Sequence, residues 1–116
     1  MGSPKRTRQY ARTLGISGDA VRVRLTTIRG RVTAFTVQYE GLIEEKWMPV
    51  VRYDTVHGRP HRDTLDWHGR VVDKEWLTVD IDLNTAATLA ERDIISNWQT
   101  YRAGFMQRRP ASWRER

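Results

Sequence analysis

The sequence predicts an α+β fold: an antiparallel β-sheet of about five strands covered by one long C-terminal α-helix. Three observations predict it. Apolar and polar residues alternate with a period of two over residues 20–28 and β-rich runs follow to residue 77, glycine-bearing turns interrupt that region at short intervals, and the apolar spacing changes to three and four beyond residue 84. A chain of 116 residues supplies one modest core, so strands and helix form a single domain over residues 20–109.

Residues 1–19 show no sustained apolar period and contain Gly2, Ser3, Pro4, Gly15 and Gly18. They read as a basic flexible arm with at most a helical turn around residues 10–14. In the next segment Val21, Val23 and Leu25 point one way and Arg22, Arg24 and Thr26 the other, as in a half-buried strand. Gly30 stands between Arg29 and Arg31, where a tight turn wants tolerance of positive φ. Val32, Val37 and Tyr39 continue the pattern, so residues 20–40 form a hairpin, and Gly41 ends the run. Residues 46–53 (KWMPVVRY) read as a third strand, with Pro49 marking a sheet edge or a bulge. Residues 61–67 (HRDTLDW) make a fourth strand, and His68-Gly69 turns into a fifth over residues 70–77.

The final element is a helix of roughly 24 residues, about 36 Å long. Asn84 or Thr85 is placed to cap it, and Asp80 and Asp82 favour its positive end. Ala87, Ala90, Ile94, Trp98, Tyr101 and Phe105 form one apolar stripe, widened by Leu83 and Leu89 and extended by Met106. The stripe reads as core, since a lone sheet needs a cover on its apolar face. Pro110 stops the helix, and residues 110–116 form a basic tail.

Charge is unevenly placed. The chain carries 20 Lys+Arg against 14 Asp+Glu, a formal +6. Residues 1–31 hold eight basic side chains and one acid, residues 40–93 seven and twelve, and residues 94–116 five and one. Basic ends around an acidic middle suit a polyanionic partner. Seventeen of the basic residues are arginine, which pairs with phosphate through two parallel hydrogen bonds and stacks on bases. Arg22, Arg24, Arg29 and Arg31 on the first hairpin, with Arg59, are the candidate nucleic-acid contacts, RNA favoured. Absence of cysteine excludes disulfides, thiolate catalysis and Cys-based metal sites. No apolar run is long enough to span a membrane and no secretory h-region opens the chain, so a cytoplasmic location without membrane contact is expected.

One segment looks chemical. Residues 52–63 pack His57, His61, Arg52, Arg59, Arg62, Tyr53, Asp54 and Asp63 between two predicted strands, where a scaffold presents functional side chains. Histidine as a residue type suits proton transfer, so one imidazole can serve as general base and another as general acid on a phosphodiester. Arginine stabilises charge on the phosphate oxygens, and tyrosine orients or stacks a base. His57, His61, Arg52, Arg62, Tyr53 and Asp54 are therefore the candidate catalytic set of a metal-independent ribonuclease. Competing readings are structural: Asp54 capping a loop, His57 satisfying backbone groups, His68 belonging to its turn. Asp54, His57 and His61 are also a conceivable ligand set, but His-x₃-His in a loop is a weak metal signal. No metal and no cofactor are assigned.

The stretch Val51-Arg52-Tyr53-Asp54 followed by His57-Gly58 and His61-Arg62-Asp63 resembles the V-R-Y-D-x-x-H-G-x-x-H-R-D signature of small uncharacterised prokaryotic proteins. It is similar, more distantly, to TumE-type toxin components of toxin–antitoxin systems. The resemblance covers about residues 46–77, and this chain has one histidine where the toxins usually carry adjacent ones. It implies a small α+β protein encoded beside an antitoxin-like protein partner and acting on RNA. The competing function is a non-enzymatic binding or assembly module, with residues 46–53 as an exposed edge that favours a homodimer.

Overall fold

The computed structural model describes residues 4–77 and 80–113. Six strands follow one another as an antiparallel meander: β1 (Lys5–Leu14), β2 (Asp19–Ile28), β3 (Arg31–Ile43), β4 (Lys46–Val56), β5 (Arg59–Leu65) and β6 (Val71–Trp76). Helix α1 (Leu83–Gln107) then crosses one face of the sheet, packing on β2 to β5. The class is the α+β arrangement that the periodicity predicts, with six strands instead of five.

The additional strand corrects the expectation of a flexible arm. Lys5 to Leu14 pair residue for residue with β2, from Lys5 opposite Ile28 to Leu14 opposite Asp19. An edge strand faces solvent on most of its surface, so only Leu14 is buried and Tyr10 half-buried, and no apolar period marks it. Residues 1–3 lie outside the described residues.

Three connections are two-residue turns, Arg29-Gly30, Glu44-Glu45 and His57-Gly58. All six residues have positive φ, the conformation that matches the twist of a tight hairpin. His57 and Gly58 thus close a β4–β5 hairpin, and the expected loop over residues 54–60 is nearly all strand.

Residues 46–53 are not an edge, for β4 sits between β3 and β5 and the edges are β1 and β6. Pro49, which cannot donate to the ladder, is accommodated opposite a register shift at Tyr39/Glu40. Gly41 does not end β3. An added Cβ at this position would meet Ile43 Cδ1 at 3.1 Å, so that side chain would have to give by a few tenths of an ångström.

The helix begins two or three residues before its expected caps. Asp82 is the N-cap, accepting from Thr85 N and Thr85 Oγ1, both at 2.9 Å. Ala86, Ala87, Ala90, Ile94 and Phe105 are buried against Val21, Val37, Tyr39 and Val51 of the sheet, while Trp98 and Tyr101 are partly buried. Leu89 and Met106 are exposed and do not belong to the stripe.

The tail folds back as far as it is described. Trp67 stacks on Phe105 with centroids 5.0 Å apart, its Nε1 donating to Phe105 O at 2.8 Å, and Trp113 meets Trp67 edge-on. Residues 114–116 lie outside the described residues. Among the described residues, no helix is long and apolar enough to cross a membrane.

Candidate nucleic-acid interface

Successive strand residues point to opposite faces, and this alternation divides the motif of residues 52–63. The antiparallel register aligns Tyr10, Val23, Val37, Tyr53, Arg62 and Glu75 in one row across all six strands. This row faces the helix. Tyr53 Oη donates to Asp93 Oδ2 at 2.6 Å, Tyr101 Oη donates to the same oxygen at 2.5 Å, and Arg62 Nη1 donates to Tyr101 Oη at 3.1 Å. Arg62 Nη2 also reaches Glu75 Oε2 at 2.6 Å. Burial and the Asp93 carboxylate hold the Tyr53 hydroxyl well above its ordinary range, so it stays a protonated donor that joins sheet to helix.

The face away from the helix carries the two alternate rows. One aligns Gln9, Arg24, Thr36, Asp54, His61 and Trp76, the other Ala11, Arg22, Gln38, Arg52, Asp63 and Lys74. Arg22 pairs with Glu40, and Arg52 Nε donates to Gln38 Oε1 at 2.7 Å. Asp54 Oδ1 accepts from Thr55 N at 2.8 Å and Thr36 Oγ1 at 3.3 Å. Arg24 is exposed and has no side-chain partner among the described residues. Arg29 stands in the β2–β3 turn, and Arg31, paired in register with Ile28, lies beside Val32 and Asn84 on the helix side of that end.

His61 is the least accessible member of the candidate catalytic set, 2% exposed. Its ring lies 5.0 Å from Trp76, Nε2 is 3.2 Å from Asp63 Oδ2, and Nδ1 is buried without a hydrogen-bond partner. Lys74 Nζ lies 2.9 Å from Asp63 Oδ1 and completes the cluster. His57, by contrast, is exposed at the tip of the hairpin. The structure therefore brings together Arg52, Asp54 and His61 on one face, places Tyr53 and Arg62 on the other, and leaves His57 in the turn. The expected pair of imidazoles at one phosphate is not assembled. Among the described residues, no three carboxylate or imidazole groups cluster as metal ligands.

Sequence reasoning missed Trp76 and Lys74. Trp76 is 43% exposed, with the Arg59 guanidinium 4.5 Å and the Lys74 ammonium 5.6 Å from its ring centre. An aromatic bracketed by two cations on an open sheet face offers stacking and phosphate contact together. Its signal was present in the alternation Lys74-Glu75-Trp76, which puts Lys74 and Trp76 on one face. Also missed were two carboxylate clamps, one half-buried and one buried. One is Asp93 with its tyrosines; the other is Asp19, which accepts from Tyr39 Oη at 2.5 Å, Leu42 N at 3.0 Å and Arg102 Nη1 at 3.3 Å.

Fold and site together define a small α+β module: a six-stranded meander, one face covered by a helix and the other polar and rich in charged side chains of both signs. The chain belongs to DUF7718, a domain of unknown function whose family model matches residues 5–111. That span takes in all six strands and the helix. No curated protein and no solved structure matches the chain.

Proposed function

We propose that the protein binds single-stranded nucleic acid, RNA in preference, across the helix-free face of its sheet. The observation that carries this reading is the exposed Trp76 between Arg59 and Lys74, at the end of the rows bearing Arg22, Arg24 and Arg52. Bases of a single strand are free to stack on an exposed ring, and guanidinium groups pair with the phosphates between them. The reading is of binding rather than cleavage, because His61 is covered by Trp76 and His57 stands apart in the turn.

Fluorescence anisotropy with a labelled single-stranded RNA tests it. The wild-type chain binds and loses affinity as salt rises, because binding releases counterions. Arg24→Glu with Arg52→Glu lowers affinity by about tenfold or more, and the RNA stays intact in EDTA. Equal binding by wild type and variant would end this reading.

A second reading, a self-assembling or partner-binding module, draws on β6. Each of its six residues is exposed, Val71 and Val72 among them, and its outer edge is unpaired. A molar mass that rises with concentration while RNA binding is absent would favour it.

A further inference from the structure

A second basic surface lies on the helix side, where β2 turns into β3. It is a groove of about 270 Å³ between the first half of α1 and strands β1 to β3. Its floor is apolar, formed by Val23, Leu25, Val32 and Ala87, and its walls carry Arg8, Tyr10, Asn84, Thr88 and Glu91. Two further hollows continue it. One shares Thr27 and Gly30 and adds Arg6, and the other shares Val32 and Asn84 and adds Arg31.

The acids of this lining are already committed. Glu91 accepts from Tyr10 Oη at 2.7 Å and Arg12 Nε at 2.6 Å, and Asp82 caps the helix. Arg6, Arg8 and Arg31 are exposed around the rim. Asn84 Oδ1 accepts from Val32 N at 2.9 Å, which leaves the Asn84 amide nitrogen to donate. The groove thus combines a short apolar floor, a polar end and a cationic rim.

We propose that this groove receives one nucleotide of the bound single strand, with the base on the apolar floor and its phosphates on Arg6, Arg8 and Arg31. The proposal rests on the RNA-binding reading of the open face and extends it around the β2–β3 turn. The volume lies just below the range of organic-ligand sites, about 300 Å³ and upward, and suits one unit of a chain. A duplex keeps its bases paired and stacked inside, and so offers no free base to this floor. The four-residue floor is too short for an acyl chain, and the rim arginines select a polyanion.

The test uses the full chain, a short labelled single-stranded RNA of mixed sequence, and inorganic polyphosphate as a base-free polyanion. Thr88→Trp fills the groove from an exposed helix position, Arg8→Glu reverses the rim, and Arg24→Glu with Arg52→Glu reports on the open face. Loss of a stacked base predicts that Thr88→Trp weakens RNA binding about tenfold and weakens polyphosphate binding much less, whereas Arg8→Glu weakens both. Wild-type RNA affinity in Thr88→Trp, with the open-face variant still impaired, overturns the groove while leaving the open-face reading intact. Absence of RNA binding by the wild-type chain overturns both. Should Thr88→Trp fail to fold, backbone amide shifts of Gly30, Asn84 and Thr88 in the wild-type chain decide. Movement on RNA addition supports the groove, and no movement overturns it.

Discussion

Tyr53 Oη lies 2.6 Å from Asp93 Oδ2, and this one hydrogen bond turns Tyr53 toward the helix while its neighbours Arg52 and Asp54 face the opposite side of the sheet. Twelve residues that look like one site along the chain are thereby parted by the period of a β-strand. Arg62, which stands between His61 and Asp63 in the chain, goes with Tyr53 to the helix side. The motif is thus partly architecture, joining β4 and β5 to α1, and partly open surface.

Replacing Tyr53 by phenylalanine tests that division. The change deletes one hydrogen bond to a charged acceptor and leaves Asp93 with Tyr101 and Asn97. The expected cost is about 1.5 kcal/mol of folding stability, read from urea denaturation. RNA affinity stays at the wild-type value, since Tyr53 faces away from the binding surface.

Alkaline pH probes the same bonds. Burial, and then hydrogen bonds to Asp93 and Asp19, raise the hydroxyls of Tyr53 and Tyr39 above the ordinary tyrosine value. The unfolded chain releases those protons near pH 10 while the folded chain keeps them. Their contribution is therefore complete below about pH 10 and is lost as pH rises toward the folded values. Urea midpoints should fall above about pH 10, less steeply in Tyr53→Phe. A stability that stays level through the tyrosine titration would contradict the burial of these hydroxyls.

His57 has φ +51° as the first residue of a two-residue turn, a conformation that asparagine adopts more readily than histidine. His57→Asn should raise stability by about 0.5 kcal/mol and leave RNA binding unaltered. A drop in stability would show that the imidazole holds the hairpin by contacts beyond its backbone.

The strands that are buried on one face were legible because burial imposes alternation, as in Val21, Val23 and Leu25. β1 was not, since an edge strand with few buried side chains has no reason to alternate apolar and polar residues. The helix was legible from its stripe. Asp93 and Glu91 carry no sequence signal of their own, and only the tertiary fold brings Tyr53 and Tyr10 to them. The placement of Arg22 and Arg24 on the outer face followed from period two. The separation of His57 from His61 did not, because the sequence alone does not reveal that a hairpin turn starts at residue 57.

The most direct test of the open-face account is a nuclear magnetic resonance titration of the ¹⁵N-labelled chain with single-stranded RNA. The Trp76 indole and the amides of Arg24, Thr36 and Arg52 should shift together, while residues on the outer face of α1 such as Ser96 and Gln99 stay still. Shifts confined to the outer helix face, or none at all, would contradict binding by the open sheet.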